Sequence, residues 1–411
     1  MSFSRNLSGC QLFHQAQLPQ QWDCEPLKHR LELLYGRALK EETRKLGDVD
    51  VYGSNGKVGS HNEHWLDAPG VLVGRKGTVG AVHYAPNPFW PIDTTYYVKP
   101  LGDEELRYLF YLLDYLPLKN LNAATGVPGL SRRDAYALRG AFPPPDEQAA
   151  IARVLDAVDA AIDRAREAVE QARTMRLSLM QAAFHYEMTS EQKHDTDAGR
   201  IPQSWQALKG KQMFSVLTGG NSSVYAIKPL RGDDQADAWF MKVDDFNLSA
   251  NARRIVTTQI GFVASKNPSF KLLPLGTIVI AKRGAAILKN RVRTTAVPVA
   301  LDPNLMALKM RGDILPEFFR YQLEWRNLSR YIESSGVPQL NNKDLYPRWF
   351  VRAPEGQQKE IVAVISAAEQ KEDALRGKLL ALETLRKSLM HDLLTGTVRI
   401  DPALFKTEAT A

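Results

Sequence analysis

The sequence has little of what membrane insertion, disulfide bonding or metal binding would need. It contains two cysteines in 411 residues, Cys10 and Cys24, too few for a disulfide framework or a cysteine-bound zinc ion. No apolar run approaches the roughly 20 residues that cross a bilayer. The N-terminus lacks the basic and then apolar plan of a signal peptide. These absences favour a cytoplasmic protein.

Catalytic motifs are also missing. No Gly-x4-Gly-Lys-Ser/Thr phosphate loop occurs, no glycine-rich cofactor loop occurs, and the eight histidines form no paired metal-ligand spacing. Asn87-Pro88-Phe89-Trp90 lacks the second proline of the tetrapeptide with which amino-methylating enzymes hold a target amine. Glu191-Gln192-Lys193 matches a nuclease-like Glu-x-Lys but lies in a polar segment. These residues therefore indicate no catalytic site, and they give a metal site little support.

Charge is present but unevenly distributed. The formal net charge is +7, and residues 201–352 contain 22 Lys and Arg against 11 Asp and Glu. Residues 1–142 contain 16 against 15. A basic excess in one segment favours a polyanionic partner such as nucleic acid, with a solvated basic face as the alternative.

The longest helical pattern runs from Pro143 to Phe184. This stretch opens with three prolines, and Asp146 is predicted to be the N-cap of the helix that follows. Apolar residues recur at alternating spacings of four and three, which predicts a seam that packs against one other long helix. The seam residues are Ile151, Leu155, Val158, Ile162, Ala165, Val169 and Ala172. A similar stripe between Glu355 and Leu394 comprises Ile361, Ile365, Ala368, Leu375, Leu379, Leu382, Leu389 and Leu393.

The sequence around this helix occurs twice. Gly126-Val127-Pro128 recurs as Gly336-Val337-Pro338, 210 residues later, and the same offset continues through the loop and the helix. It relates Leu130 to Leu340, Asp134 to Asp344, Tyr136 to Tyr346, Gln148 to Gln358, Ile151 to Ile361 and Met180 to Met390. Because the match includes the loop before the helix, we interpret the chain as an internal duplication.

Short strands and glycine turns precede each helix, so each copy is predicted to be a mixed α and β module. The predicted fold class is α+β, with two such modules in pseudo-twofold repeat, separated by two long antiparallel coiled-coil helices. The second module is about 27 residues longer, and we expect the addition between Gly219 and Lys282. The predicted boundaries are 1–142 for the first module, 143–187 for the first helix, 188–353 for a linker and the second module, 354–395 for the second helix, and 396–411 for a tail.

Basic glycine turns at equivalent places in the two copies are the first candidate contacts to DNA. Gly74-Arg75-Lys76-Gly77 follows a predicted buried strand, and Lys282-Arg283-Gly284 follows its counterpart at an offset of 207. Arginine can bond guanine through two donors, and lysine suits a phosphate. Either turn taken alone is more often a solvated surface turn. Because the turn recurs at the same place in both copies, DNA binding and a solvated turn are about equally expected.

Each module is predicted to contain one shorter helix, Glu105 to Leu116 in the first copy and Leu315 to Arg326 in the second. Polar residues in the loops after these module helices are the second group of candidates. They differ between copies, which suits two readers of different sequences, and asparagine can pair with adenine; simple capping of the loop is the alternative. Lys289, Arg291 and Arg293 alternate along an apparent strand and are expected to place three cations on one face. The residues predicted to bind DNA are Tyr52, Ser54, Asn55, Arg75, Lys76, Thr94, Thr95, Ser131, Arg132 and Arg133 in the first copy, and Asn221, Lys282, Arg283, Lys289, Arg291, Arg293, Asn341, Asn342 and Lys343 in the second.

Taken in order, these motifs resemble the specificity subunit of type I restriction-modification systems over nearly the whole chain. The second module departs more, with Lys282-Arg283-Gly284 in place of Arg-Lys-Gly. The matching motifs are Tyr52-Gly53-Ser54-Asn55-Gly56, Gly74-Arg75-Lys76-Gly77 with Thr94-Thr95-Tyr96-Tyr97, Gly126-Val127-Pro128-Gly129-Leu130-Ser131, Pro143-Pro144-Pro145-Asp146-Glu147-Gln148 with its helix, and Leu385-Arg386-Lys387-Ser388-Leu389-Met390 before Leu394-Thr395-Gly396.

The resemblance implies a non-catalytic subunit that binds double-stranded DNA at a bipartite sequence. Each module would read one half, while the helices fix the spacer and dock two methylation subunits; restriction subunits join the full complex. The chain itself would hold no cofactor, since S-adenosylmethionine, ATP and Mg are expected on the partner subunits. Two alternatives stay open: the DNA-recognition subunit of a related bifunctional restriction-methylation system, and a helical scaffold that joins two ligand-binding domains without nucleic acid. The absent cofactor loop disfavours a self-contained methyltransferase.

Overall fold

The computed structural model describes residues 18–121, 129–218, 227–233, 235–332 and 337–408. The chain divides into two compact units. Unit 1 comprises the residues up to Glu167 and those from Arg376 onward, and unit 2 comprises Ala168–Leu375. No helix of the described residues is long and apolar enough to cross a membrane.

Unit 1 contains two small sheets and a separate strand pair. Its described elements are β1 (Asp23–Pro26), β2 (Leu31–Tyr35), β3 (Val49–Gly53), β4 (Gly56–His61), β5 (Gly70–Gly74), β6 (Val82–Ala85), β7 (Phe89–Pro91), β8 (Thr95–Pro100), α1 (Leu106–Tyr115), α2 (Arg132–Ala137) and β9 (Arg139–Phe142). One sheet is antiparallel with the order β2-β8-β5-β6, and the other has the order β4-β3-β7, with β3 and β7 parallel. Strands β1 and β9 pair separately.

The core of unit 1 forms where helix α1 packs against the four-stranded sheet. Strand β5 is buried along its whole length, as its continuous apolar sequence predicts. Leu109 and Leu112 of α1 are fully buried in the same core as Val71 and Val73. The side chain of Glu105 accepts a hydrogen bond from the Arg107 amide and so caps the helix.

Unit 2 begins its module with a hairpin and then repeats the plan of unit 1. Its described elements are β10 (Lys193–Thr196), β11 (Gly199–Pro202), β12 (Gln206–Lys209), α4 (Gly210–Met213), β13 (Phe214–Thr218), β14 (Ala238–Met241), β15 (Arg254–Ile255), β16 (Ile260–Phe262), β17 (Ile278–Ala281), β18 (Arg293–Thr295), β19 (Val299–Leu301), β20 (Leu305–Met310), α5 (Pro316–Arg326), α6 (Asn342–Leu345) and β21 (Trp349–Arg352). The larger sheet has the order β13-β20-β17-β18-β15, and the smaller one has the order β16-β14-β19.

The sheet topologies agree with the predicted duplication. The order β13-β20-β17-β18 repeats β2-β8-β5-β6, and the parallel pair β14–β19 repeats β3–β7. The pair β12–β21 repeats β1–β9. The second copy has a longer segment between β14 and β17, which adds strand β15, so the additional sequence lies within the predicted region.

Two 40-residue helices, α3 (Pro145–Phe184) and α7 (Glu355–Leu394), are the longest elements. The predicted seam of α3 is confirmed, since its members are buried except Val158, which is half-buried. In α7 the prediction holds in part: Ile361, Ile365, Ala368 and Leu393 are buried, and Leu375, Leu379, Leu382 and Leu389 are half-buried. The prediction that Asp146 is the N-cap is wrong, because α3 already begins at Pro145, a residue tolerated at the first helical position.

Two glutamines that are 210 residues apart, Gln148 and Gln358, form the same hydrogen bonds in the two units. In unit 1, Gln148 Oε1 accepts from the Glu105 amide at 2.9 Å, and Nε2 donates to the Pro143 carbonyl at 2.9 Å. In unit 2, Gln358 Oε1 accepts from the Leu315 amide at 2.8 Å, and Nε2 donates to the Ala353 carbonyl at 2.8 Å. Each glutamine therefore ties the start of a long helix to the start of its module helix.

Each unit also contains a polar cluster, which we call its anchor cluster, beside the long helices. The two clusters consist of equivalent residues at the offset of 210: Tyr111, Asp114, Asp159, Arg386 and Met390 in unit 1, and Tyr321, Glu324, Glu369, Arg176 and Met180 in unit 2. In unit 1, Arg386 pairs with Asp159 at 2.5 Å and with Asp114 at 3.5 Å. Burial opposes the charge of Arg386, but the hydrogen bond to Asp159 raises its pKa above the ordinary value. Arg166 pairs with Glu383 at 3.0 Å. From Asp159 to Arg166 the partner on α7 moves back from Arg386 to Glu383, so α3 and α7 run antiparallel in this unit.

The anchor cluster of unit 2 is more buried, and the further charged residues Arg253, Arg320 and Glu372 pair with it. Arg176 pairs with Glu324 at 2.9 Å and with Glu372 at 2.9 Å. Glu369 accepts from Arg320 at 2.8 Å and from the Tyr321 hydroxyl at 2.8 Å. Burial opposes the charge of Glu369, but Arg320 and Arg253 hold its pKa below the ordinary value. This cluster fixes α5 against the two long-helix segments of unit 2.

The predicted linker and the predicted tail both contain secondary structure. The predicted linker from residue 188 contains the hairpin β10–β11. The predicted tail from residue 396 contains a 3-10 helix, Pro402–Glu408, and Arg399 pairs with Glu147 at 2.7 Å. The predicted module boundaries stay a prediction, because the compact units divide the chain inside the long helices.

Candidate functional site

The basic turn of unit 1 lies against the loop that precedes α2. Gly77 has a φ of 78°, a left-handed conformation that favours glycine and reverses the chain after β5. The Leu130 amide donates to the Arg75 carbonyl at 2.8 Å, and Lys76 forms a β-bridge with Gly129. The turn and the loop therefore form one continuous edge, which we call recognition edge 1 (residues 75–77 and 129–133, with Asn55).

Unit 2 has the same arrangement at its own basic turn. Gly284 has a φ of 79°, and the Leu340 amide donates to the Lys282 carbonyl at 2.9 Å. Arg283 forms a β-bridge with Gln339. We call residues 282–284 and 338–343 recognition edge 2. The structure confirms that the two basic turns are equivalent, although their offset differs from that of the helices.

Recognition edge 1 presents cations and one aromatic ring. Lys76, Arg133 and Asn55 are exposed. The guanidinium of Arg75 lies 5.1 Å from the ring centroid of Tyr35, and that of Arg132 lies 4.6 Å from it. The sequence analysis missed Tyr35, which is 47% exposed at the end of β2; an aromatic residue directly before a glycine turn was the available signal.

Arg75 is fixed in position by the same edge. Its Nε donates to the Asp93 carbonyl at 3.0 Å, and its Nη2 donates to the same oxygen at 2.5 Å. Thr94, also predicted as a contact, is half-buried, and its carbonyl accepts from the amides of Arg75 and Lys76 at 2.9 and 3.1 Å. The backbone of Thr94 thus supports the turn from below.

Three residues predicted to bind DNA in the first copy are buried. Tyr52, Ser54 and Thr95 have exposures of 8%, 6% and 0%. The Ser54 hydroxyl donates to the Thr94 carbonyl, and the Thr95 hydroxyl donates to the Ile92 carbonyl at 2.8 Å. Ser54 and Thr95 thus bond the backbone around recognition edge 1, whereas the Tyr52 ring packs against Phe89 at 5.9 Å. All three side chains lie outside the candidate interface. Ser131 has a similar supporting role, since its hydroxyl caps α2 by accepting from the Asp134 amide at 3.4 Å.

Recognition edge 2 combines cations with amide side chains. Arg283, Asn342 and Lys343 are exposed, while Lys282 and Asn341 are half-buried. Asn341 Oδ1 accepts from Gln339 at 3.1 Å, and the Asn341 amide donates to Asp344 at 2.7 Å, so this residue is anchored at the start of α6. Asn221, also predicted, lies outside the described residues.

The predicted strip formed by Lys289, Arg291 and Arg293 is wrong. Lys289 ends a 3-10 helix, and Asn290 turns the chain with a φ of 49°, so the three residues share no strand. Arg291 donates to Asn247 Oδ1 at 2.6 Å. Arg293 points inward and donates to the Asn251 carbonyl at 3.0 Å, and burial lowers its pKa to about 10.

The described residues contain no group of three or more His, Cys, Asp or Glu side chains that could hold a metal ion. Glu191, from the nuclease-like match, instead accepts hydrogen bonds from Ser204 at 2.9 Å and Gln357 at 2.6 Å. What the two recognition edges offer is a set of outward donors. Guanidinium and ammonium groups bind phosphates, and guanidinium and amide groups also bind base edges.

The chain is similar to known type I restriction-modification specificity subunits. The family model of the type I restriction modification DNA specificity domain matches residues 21–171. The MjaIX type I restriction enzyme specificity subunit of Methanocaldococcus jannaschii is 26% identical over 232 residues, which are 52% of this chain and 48% of that relative. The MjaVIII specificity subunit of the same organism is 27% identical over 117 residues, 27% of each chain. The matches thus span at most about half the length of these curated relatives.

The fold is shared with solved structures over nearly the whole chain. The type I restriction-modification S subunit of M. genitalium has a TM-score of 0.64 and 17% identity, covering 92% of this chain and 98% of that one. A chain from a study of complex assembly and conformational transition of the type I R-M system has a TM-score of 0.53 and 14% identity, covering 93% and 99%. The resemblance to type I specificity subunits and the predicted fold class are confirmed.

Proposed function

We propose that this relative of type I specificity subunits is the DNA-recognition subunit of a restriction-modification complex, with each module reading one half of a bipartite sequence. The observation that carries the proposal is the recurrence of the recognition edge. The same turn, the same glycine conformation and the same backbone bonds occur in both units. The recognition edge is therefore a repeated structural element, present once in each unit.

The two edges differ in the side chains that would touch DNA. Edge 1 carries arginines around Tyr35, whereas edge 2 carries Asn341 and Asn342 beside Arg283. Arginine favours guanine and asparagine favours adenine in the major groove. Because the two edges share a backbone arrangement but differ in their exposed side chains, they support two half-sites of different sequence.

The partners and cofactors belong to the same proposal. Two methylation subunits would dock on the chain, and restriction subunits would complete the assembly. S-adenosylmethionine, ATP and Mg would bind to those partners. The long helices would hold the two half-sites at a fixed spacing, since α3 and α7 each contribute residues to both compact units.

Removing two exposed cations from recognition edge 2 tests the DNA-binding proposal. We expect Arg283→Ala with Lys343→Ala to weaken binding to a target-containing duplex by on the order of tenfold or more, because each cation releases condensed counterions from a phosphate or bonds a base. The slope of log K against log salt should fall by about 2. Fluorescence anisotropy over a series of salt concentrations measures both quantities.

The matched control is Lys271→Ala with Arg311→Ala, two exposed cations of the same unit outside the edge. This control should keep the wild-type affinity and nearly the wild-type slope. Equal behaviour of the two double variants would rule out edge 2 as the DNA contact.

A further inference from the structure

Unit 2 contains a cavity that neither the recognition edges nor the anchor cluster uses. Its volume is 640 Å³, within the range of small-molecule sites. It lies where the end of α3, the β10–β11 hairpin and the end of α5 meet. Basic and aromatic side chains form much of its wall. They are His185, Tyr186, Arg200, Trp325, Arg326, Arg330 and Tyr331.

The cavity wall is strongly basic. Arg200, Arg326 and Arg330 line it, and Glu187 is the single carboxylate of the lining. None of the three arginines forms an ion pair with a carboxylate of the described residues. Arg326 is nevertheless fixed, because its Nη1 donates to the Trp349 carbonyl at 2.7 Å and its guanidinium lies 5.2 Å from the Phe350 ring centroid. The guanidinium is also hydrogen-bonded to Tyr331, which lines the same cavity. A guanidinium held in position in this way suits an anion.

The first copy adopts the same fold without arginine at the positions equivalent to Arg326 and Arg330. At the offset of 210, Arg326 corresponds to Leu116, Arg330 to Asn120 and Tyr331 to Leu121. Arg326 ends α5, the equivalent of α1, and Arg330 and Tyr331 lie in the 3-10 helix that follows, Leu328–Tyr331, whose counterpart in the first copy is Leu118–Asn120. The second copy therefore differs from the first at the positions that line the cavity.

The backbone of Tyr186 is a further difference between the two copies at the cavity. It follows α3 with a φ of 62°, and Gly396 follows α7 at the equivalent position with a φ of 70°. Glycine is the usual residue in this left-handed conformation, and a residue with a Cβ is strained there. The ring packs edge-on against Trp205 at 5.2 Å while also lining the cavity. Burial raises the pKa of Tyr186, so its hydroxyl stays protonated and can donate to an anion.

We propose that this cavity binds a small ligand of the mononucleotide class, a phosphate monoester carried on a flat ring system. Arg326 and Arg330 would bind the phosphate through charge-assisted hydrogen bonds. The exposed parts of Trp325 and Tyr186 would contact the ring, since aromatic side chains stack on bases. The site adds a ligand to unit 2 and does not depend on how either recognition edge reads DNA.

Isothermal titration of the full chain with AMP tests the proposal. AMP should bind once per chain, and adenosine and inorganic phosphate, its two halves, should each bind more weakly. Arg326→Leu and Arg330→Asn introduce the residues of the first copy, so both are compatible with the helix frame. Each should weaken AMP binding about tenfold, the loss expected for one charge-assisted hydrogen bond. Arg311→Leu removes an exposed arginine elsewhere in the unit and should leave AMP binding unchanged.

Two results would overturn the proposal. One is an absence of AMP binding to the wild-type chain. The other is AMP binding that persists in the Arg326→Leu and Arg330→Asn variants, with melting temperatures of all variants equal to wild type. If these substitutions weakened binding to random duplex while AMP failed to bind, the cavity would belong to the DNA-contacting surface. Sequence selection by the AMP-deficient variants should be unchanged, so this test stands apart from that of the proposed function.

Discussion

Replacing Glu369 by alanine is expected to lower the free energy of unfolding of unit 2 by about 3–5 kcal/mol, the cost of breaking a buried ion pair from one side. Glu369 is 5% exposed, and Arg320 beside it is 2% exposed. The carboxylate contacts Arg320 at 2.8 Å and Arg253 at 2.7 Å. Without it, Arg320 keeps Glu317 and Glu324 as partners and Arg253 keeps Asp373, so the loss should lie at the lower end of this range. Urea unfolding followed by circular dichroism measures the loss.

Glu383→Ala is the matched control on the same helix. Glu383 pairs with Arg166 at 3.0 Å, and both side chains are substantially exposed. Such a surface pair contributes about 0–1 kcal/mol, so its removal should barely change the unfolding curve. Equal losses for Glu369→Ala and Glu383→Ala would show that the anchor cluster does not stabilise unit 2.

Lengthening both long helices is expected to abolish specific binding to the original DNA sequence. Four residues inserted after Val169 and after Leu379, equivalent positions at the offset of 210, add about 6 Å to each helix, on the order of 2 bp of duplex. Four residues make little more than one turn, so the apolar seam stays on nearly the same face. Affinity for the original site should fall towards the non-specific level, a loss on the order of a thousandfold.

The same variant should recover binding on a longer site. Selection from duplexes with graded spacers between the half-sites should return a preferred spacing longer by about 2 bp. Four residues inserted after Asp197, in the turn between β10 and β11, serve as the control and should leave the spacing unchanged. A variant with both helices lengthened that still prefers the original spacing would refute the idea that the helices set the spacer.

The sequence predicted the parts of this molecule that depend on local pattern or on repetition. The heptad spacing placed α3 and α7 correctly, and the basic turns were located because a glycine follows each buried strand. The offset of 210 related residues such as Gln148 and Gln358, whose hydrogen bonds prove equivalent. Duplication helps prediction because a residue that recurs at the same position in both copies indicates a feature that the fold requires in each.

The missed features depend on which strands become neighbours. Tyr35 meets Arg75 and Arg132 because β2 pairs with β8 and the loop before α2 returns to the same edge. Its place before a glycine turn was a local signal, but that signal does not indicate which arginines it contacts. The error at Arg293 has a local cause: the left-handed Asn290 breaks the alternation that predicted a strand. The carboxylates around Arg320 were hidden because they lie on two different helices, α5 and α7.

Selection of binding sites from a random duplex library, by the chain assembled with a methylation partner, tests the central claim most directly. The wild-type chain should select two short sequences separated by a fixed spacer of unread base pairs. A chimera in which residues 19–142 are exchanged for the first module of another relative should change one of these sequences and keep the other and the spacer. A single uninterrupted motif, or a chimera that changes both halves, would contradict the account.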